Sequence, residues 1–342
     1  MDARAQALRE WAGAILDFDL DGERAVLNWQ AVAGDASTRR YFRLTTEQQS
    51  WICVDAPPAT EKNPEFLQVR SILAEAGILV PELLGVAAEQ GFLLLSDLGQ
   101  QLLLPLLNAE TVSAHYARAL DTLFSMQRIQ LQKQGLPDYS AALLREELQR
   151  FPQWFCSELL GVDVGGASGQ LLRRFEERLI ESARAQPQVF VHRDFHSRNL
   201  MPQADDSLGV IDFQDALVGP ICYDLVSLLR DCYIRWPRSQ VREWALAYRQ
   251  RLLQAELCPA VEEAEFMRWF DWIGLQRHLK VLGNFARLAQ RDGRSQYLQD
   301  LPLVLAYIHE VLDQYAEFAE IKDWFAAQLT PRIERQPWSS PA

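Results

Sequence analysis

The hydrophobic pattern along the chain changes period near residue 100. Residues 3–16 space Leu8, Trp11, Ile15 and Leu16 as one face of a short amphipathic helix. Three runs at 25–33, 41–44 and 51–55 then read as strands. Asn63 and Pro64 form a helix start, with Asn63 as the N-cap, and Phe66, Val69, Leu73 and Ala76 carry its apolar face to the stop at Gly77. Residues 80–88 and 91–95 form a second strand pair around a Gly-containing turn. Ser96-Asp97-Leu98-Gly99 follows as a small polar hinge, 97–100. Beyond it the period is helical at 109–134, 141–160, 168–185, 222–233, 238–255, 261–289 and 301–328. The interruption lies between 185 and 220, where a loop and a short β-hairpin are expected, and the Pro-bearing tail 330–342 is expected to be extended. The organisation expected is therefore a β-rich lobe over 1–96, the hinge, a helical lobe over 101–329 and the tail.

Composition narrows the function classes. The chain has 342 residues, 49% of them hydrophobic, enough for two full cores without staples. Its formal net charge of −12 argues against nucleic acid as a partner. No apolar run reaches the roughly 18 residues of a membrane span, and the start Met1-Asp2-Ala3-Arg4 lacks a basic-then-apolar signal. The five cysteines are scattered with no CxxC pair, which points to free thiols in a reducing cytoplasm rather than to zinc.

The interruption carries the chemistry. Val191-His192-Arg193-Asp194-Phe195-His196-Ser197-Arg198-Asn199-Leu200 is followed by Val210-Ile211-Asp212-Phe213. One Asp, an Asn five residues on and an Asp thirteen beyond that can supply a base and two magnesium ligands, the equipment of phosphoryl transfer from ATP. Near the N-terminus, Gly34-Asp35-Ala36-Ser37-Thr38-Arg39-Arg40 is a small polar turn between strands. It could cover phosphates with its amides and arginines, or be a plain hairpin loop.

These motifs resemble the kinase-like phosphotransferases of the aminoglycoside phosphotransferase-like family, whose loop reads His-Gly-Asp-x-His-x-x-Asn-Leu. Arg193 stands here in place of the Gly. The block Ile211-Asp212-Phe213 through Gly219-Pro220 and Tyr223-Asp224-Leu225 is similar to the same family. The turn at 34–41, Asp55-Ala56-Pro57-Pro58 and Gln276-Arg277-His278-Leu279-Lys280-Val281-Leu282-Gly283 resemble its bacterial cell-wall-recycling branch, which phosphorylates the anomeric hydroxyl of N-acetylmuramate and N-acetylglucosamine. The resemblance implies an α+β, protein-kinase-like two-lobed fold with a small β-rich N-lobe and a mainly helical C-lobe. It implies ATP and Mg2+ as cofactors and an amino sugar as substrate. Asp194 would be the catalytic base, with Asn199 and Asp212 on the metal. Ser37, Arg39, Arg40, Arg43, Asp97, Leu98 and Asn199 would contact the nucleotide. Asp224 would support the catalytic loop, and His192 would hold it by hydrogen bonds.

One departure stands out. The third strand, Trp51-Ile52-Cys53-Val54-Asp55, lacks the lysine with which kinases grip the α- and β-phosphates. Arg39, Arg40 or Arg43 is expected to replace it, with Glu65 as a candidate to orient the arginine. Arg277 and Lys280 lie three apart on one helix, read either as a solvated face or as a site for the lactyl carboxylate of N-acetylmuramate, with Arg145 as a second candidate. A cationic acceptor such as an aminoglycoside or choline, or an ATP-binding pseudokinase, stays open at this point.

Overall fold

The structure, a computed structural model, describes residues 2–17, 28–32, 39–131 and 134–339. The chain divides into two compact units, one of residues 1–103 and 199–215, the other of 104–198 and 216–342.

In the first unit, helix α1 (Ala3–Ile15) begins at Asp2, whose side chain accepts from the Ala5 N–H. Strands β1 (Asn28–Val32), β2 (Arg40–Thr45), β3 (Ser50–Asp55), β4 (Leu83–Ala87) and β5 (Phe92–Ser96) form an antiparallel sheet in the order β1-β2-β3-β5-β4. Alternation along β2 turns Phe42 and Leu44 to one face, where they meet Trp51, Cys53 and Leu94 and the α1 residues Ala5, Leu8 and Ala12. The β4–β5 turn needs Gly91: its φ is +71°, and a Cβ there would sit 2.1 Å from the Ala56 carbonyl oxygen. Helix α2 (Asn63–Glu75) buries Phe66, Val69, Ile72 and Leu73. It begins one residue earlier than expected. Asn63 is its first residue rather than its cap, because the Asn63 amide donates instead to the Ala56 carbonyl at 2.7 Å.

Residues 199–215, expected in the helical lobe, cluster instead with this unit. Hydrogen bonds explain it: Leu103 N–H donates to Leu200 O at 2.8 Å, and Val210 N–H to Leu79 O at 2.8 Å. Gln203 Nε2 donates to Leu98 O at 3.1 Å.

The second unit is mainly helical. It contains α3 (Val112–Gln127), α4 (Ala141–Leu148), a π-helical segment (Phe151–Leu159) and α5 (Gly166–Ala185). Strand β6 (Gln188–Val191) follows; β7 (Leu200–Pro202) and β8 (Leu208–Val210) form a hairpin in the first unit, and β9 (Leu217–Pro220) pairs with β6. Then come α6 (Tyr223–Leu229), α7 (Arg238–Gln254), α8 (Glu263–Asp292) and α9 (Leu301–Gln314). Helix α8 is buried on nearly every side, from Phe266 to Leu288. Gly283 is where it meets the π-helical segment: a Cβ there would lie 2.4 Å from the Arg150 carbonyl carbon.

Several helices are shorter than their apolar pattern. The expected helix 141–160 breaks before Pro152, which has no N–H for the α-helical ladder. The expected helix 222–233 stops at Leu229, because the Asp231 carboxylate accepts the Tyr233 N–H at 3.0 Å and closes a turn. The expected helix 301–328 is interrupted by extended backbone at Tyr315, whose hydroxyl donates to Asp271 at 2.7 Å. The tail corrects the expectation most clearly. Thr330–Ile333 is helical, and Trp338 is buried with its ring 6.4 Å from Phe155. Among the described residues, no helix is long and apolar enough to cross a membrane.

Candidate active site

In the second unit, β6 delivers the chain into a loop held at both ends by buried carboxylates. Asp224, in the first turn of α6, accepts the N–H of His192 at 2.6 Å and of Arg193 at 3.0 Å. Burial nevertheless pushes its carboxyl up to about 7. Asp231 accepts the N–H of Ser197 at 3.0 Å and its hydroxyl at 2.5 Å. His192 is fully buried, and its Nδ1 accepts the Asp194 N–H at 3.3 Å. Arg193 adopts φ 80°, a left-handed conformation that costs a non-glycine residue of order 1 kcal/mol. Its guanidinium bonds Glu147, which ties the strained turn to α4.

Asp194 is half-buried and lines a cleft with His196, Tyr223, Tyr233, Arg277, Lys280 and Asn284. Burial alone would raise its carboxyl; Lys280, then His196, Arg277 and Arg193 overcome this and hold it well below the usual carboxylate range. Asp194 is therefore a carboxylate that stays ionised.

Glu147 organises these cations. It is fully buried and bonds Arg193, Lys280 (3.2 Å), the Tyr139 hydroxyl and Gln276 Nε2 (3.2 Å). Burial would raise its carboxyl, but Lys280, Arg193 and the Tyr139 hydroxyl bring it down to about 2. Lys280 also donates to the Tyr223 hydroxyl at 3.1 Å. Arg277 and Lys280 are 2% and 6% exposed, so this is no solvated face. Arg145 is elsewhere: it is exposed and pairs with Glu177 at 2.6 Å.

In the first unit, Asn199 and Asp212 come together, Asn199 Nδ2 lying 3.4 Å from Asp212 Oδ2. Asp212 has φ 63°, a second left-handed non-glycine residue, and its other oxygen accepts from Gln214 at 2.9 Å. Their hard oxygen atoms suit Mg2+. Among the described residues no group of three His, Cys, Asp or Glu could hold a metal alone.

The three arginines of the nucleotide reading part company. Arg40 bonds Asp55 and Asp2, and Arg43 bonds Asp97 at 2.6 Å and the Gly99 carbonyl at 2.7 Å. Burial would raise the Asp97 carboxyl, but Arg43, Ser50 and the Gly99 N–H hold it down. Arg39 is buried, lies over the Phe66 ring at 5.2 Å and faces Glu61 at 3.4 Å. Phe66 in turn stacks on Phe213, ring centroids 5.0 Å apart, next to Asp212 in the chain. The Tyr41 hydroxyl, raised by burial, feels Arg39, Asp212 and Glu61. Arg39 is thus linked through Phe66 and Tyr41 to the segment that carries Asp212, and its carboxylate partner is Glu61, not Glu65. Asp215 pairs with Lys62 at 2.8 Å. Leu98 offers its carbonyl to Gln203. Ser37 and the turn at 33–38 lie outside the described residues.

Sequence reasoning missed Glu147, Glu61, Asp231 and Tyr139. Each owes its place to a partner far along the chain, and no local spacing marks it. Trp236 packs in the core and donates to the buried Tyr116 hydroxyl at 3.0 Å.

Comparison with known proteins fits this geometry. The family described as "Phosphotransferase enzyme family" matches residues 28–270. An N-acetylmuramate/N-acetylglucosamine kinase of Pseudomonas putida is 40% identical over 95% of this chain and 96% of its own. Proteins of the same name from Pseudomonas aeruginosa and Neisseria meningitidis are 39% and 38% identical, over 95% and 92% of this chain and 97% and 92% of their own. In fold, the chain is similar to choline kinase LicA from Streptococcus pneumoniae (TM-score 0.62, 12% identity, 92% of this chain and 100% of that one). It is also similar to ADP-bound aminoglycoside phosphotransferase APH(2'')-Ib (TM-score 0.58, 14% identity, 91% of this chain and 99% of that one). The protein-kinase-like architecture expected from the motifs is the one observed.

Proposed function

The chain belongs to the phosphotransferase enzyme family, and from that premise we propose that it transfers the γ-phosphoryl group of ATP to the C1 hydroxyl of N-acetylmuramate and N-acetylglucosamine. The observation that carries the choice of acceptor is the charge of the cleft. Its lining holds two cations, Arg277 and Lys280, beside one ionised base, Asp194; Glu147 pairs with Lys280, and among the described residues Arg277 keeps its charge free for a ligand. Such a lining repels aminoglycosides and choline and tolerates a neutral or anionic sugar. The names of relatives at 38–40% identity support the same acceptors.

Asp194 orients the attacking hydroxyl and takes its proton. Its low proton affinity makes it a weak base, which suits an anomeric hydroxyl, more acidic than an ordinary alcohol. His192, Asp224 and Glu147 fix the loop that presents it. Asn199 and Asp212 hold Mg2+, which when bound neutralises phosphate charge. Arg39, oriented by Glu61, supplies the positive charge that a strand lysine gives in other kinases, and its guanidinium can hold two phosphate oxygens at once. Ser37, Asp97 and Leu98 complete the nucleotide contacts in this reading, with Arg40 and Arg43 bracing β2 through their ion pairs. The described cysteines are all unpaired, in keeping with a cytoplasmic enzyme.

A coupled ADP-release assay tests the choice of acceptor. Turnover with the two N-acetylated sugars and none with kanamycin or choline is expected. Turnover only with the cationic panel would reverse it.

A further inference from the structure

Resting on that reading of the acceptor, we propose that Arg277 is the specificity residue that recognises the 3-O-lactyl carboxylate of N-acetylmuramate. The cleft's charges single it out. Lys280 and Arg193 both turn to Glu147. Asp224 spends its oxygens on the N–H groups of His192 and Arg193, and Asp231 on Ser197 and Tyr233. Arg277 forms no ion pair among the described residues, and the Cys232 thiol lines the cleft beside it. Its Nη1 is buried without a hydrogen-bond partner although the residue lines the cleft.

A guanidinium nitrogen left bare inside a protein is costly, and a ligand oxygen removes that cost. N-acetylglucosamine presents only neutral oxygens. N-acetylmuramate adds one carboxylate on the C3 edge of the ring, the group a guanidinium binds best. Asp194 and Arg277 line the same cleft, so a sugar with C1 at Asp194 can turn its C3 edge to Arg277. Lys280, one helical turn on, adds positive potential while Glu147 holds it in place.

The test is a ratio, measured on one enzyme with both sugars. Arg277→Met is expected to lower kcat/KM for N-acetylmuramate at least about tenfold more than for N-acetylglucosamine, chiefly through KM, the scale of one charge-assisted hydrogen bond. Arg277→Lys restores part of the difference. Equal losses on both sugars would assign Arg277 to the base or the phosphate and overturn the proposal, as would no loss. A second measurement needs no variant: the neutral lactyl amide of N-acetylmuramate, given to the unaltered protein, should show a KM at least about tenfold above that of the acid. An amide used as well as the acid overturns the proposal even if Arg277→Met does not fold. Failure of the parent reading looks different, because the unaltered protein would then phosphorylate neither sugar.

Discussion

Replacing Glu147 by Gln tests whether one buried carboxylate organises the cations around Asp194. The side chain is fully buried and meets Arg193, Lys280, Tyr139 and Gln276. Two routes give the magnitude. Its carboxyl falls from 4.5 to about 2, which at about 1.4 kcal/mol per tenfold change in proton affinity is on the order of 3 kcal/mol. Removing one member of a buried ion pair independently costs about 3–5 kcal/mol. The sign follows from the depressed folded-state affinity. The stabilisation is fully present above about 4.5 and is lost as pH falls through about 2. Urea unfolding at pH 7 should therefore show Glu147→Gln less stable by roughly 3 kcal/mol. In a thermal melt that corresponds to a drop of about 6–12 °C for a unit of this size. The gap between the two proteins should close when the titration is repeated at progressively lower pH below 4.5. A difference under about 1 kcal/mol at pH 7, or one independent of pH, would refute the role given to Glu147.

Three further perturbations address other parts of the site. Arg39→Met should raise KM for ATP or lower kcat/KM by about 10- to 100-fold, the worth of one charge-assisted contact, while Arg40→Met, whose partners are Asp2 and Asp55, leaves ATP kinetics nearly unchanged. Steady-state kinetics with varied ATP decide between them, and equal effects would sink the assignment to Arg39. Asp212→Asn should shift the Mg2+ concentration for half-maximal activity upward by at least about tenfold, since one anionic ligand is lost; an unmoved Mg2+ curve contradicts the metal role. Asp224→Asn leaves one acceptor oxygen for two buried N–H groups at a cost of about 1–3 kcal/mol. Hydrogen exchange at His192 and Arg193 should speed accordingly, and unchanged protection there would show that Asp224 is not what pins the loop.

What was legible in the sequence was local. The spacing of Asp194, Asn199 and Asp212 depends on a few residues of chain, and so does the alternation that placed β2 and β3. Glu147 was invisible because its partners Arg193 and Lys280 lie far downstream, and an isolated Glu on an amphipathic helix reads as solvated. Arg277 and Lys280 were noticed for their spacing. Their burial was not readable, since a helix enclosed on nearly every side can carry charge wherever the fold supplies compensation. Arg39 could not be told from Arg40 and Arg43 while Glu61, Asp55 and Asp97 had no positions. Helix ends were misjudged where a side chain captured the backbone, as at Asp231, or where Pro152 removed a donor.

The most direct measurement is phosphorus NMR of the product formed from ATP, Mg2+ and each N-acetylated sugar, with Asp194→Asn in parallel. The expected result is a sugar phosphate whose phosphorus couples to the anomeric proton, formed at least about a hundredfold more slowly by Asp194→Asn, the usual loss on removing a positioned base. A phosphate on any other hydroxyl, no product from either sugar, or undiminished turnover by Asp194→Asn would contradict it.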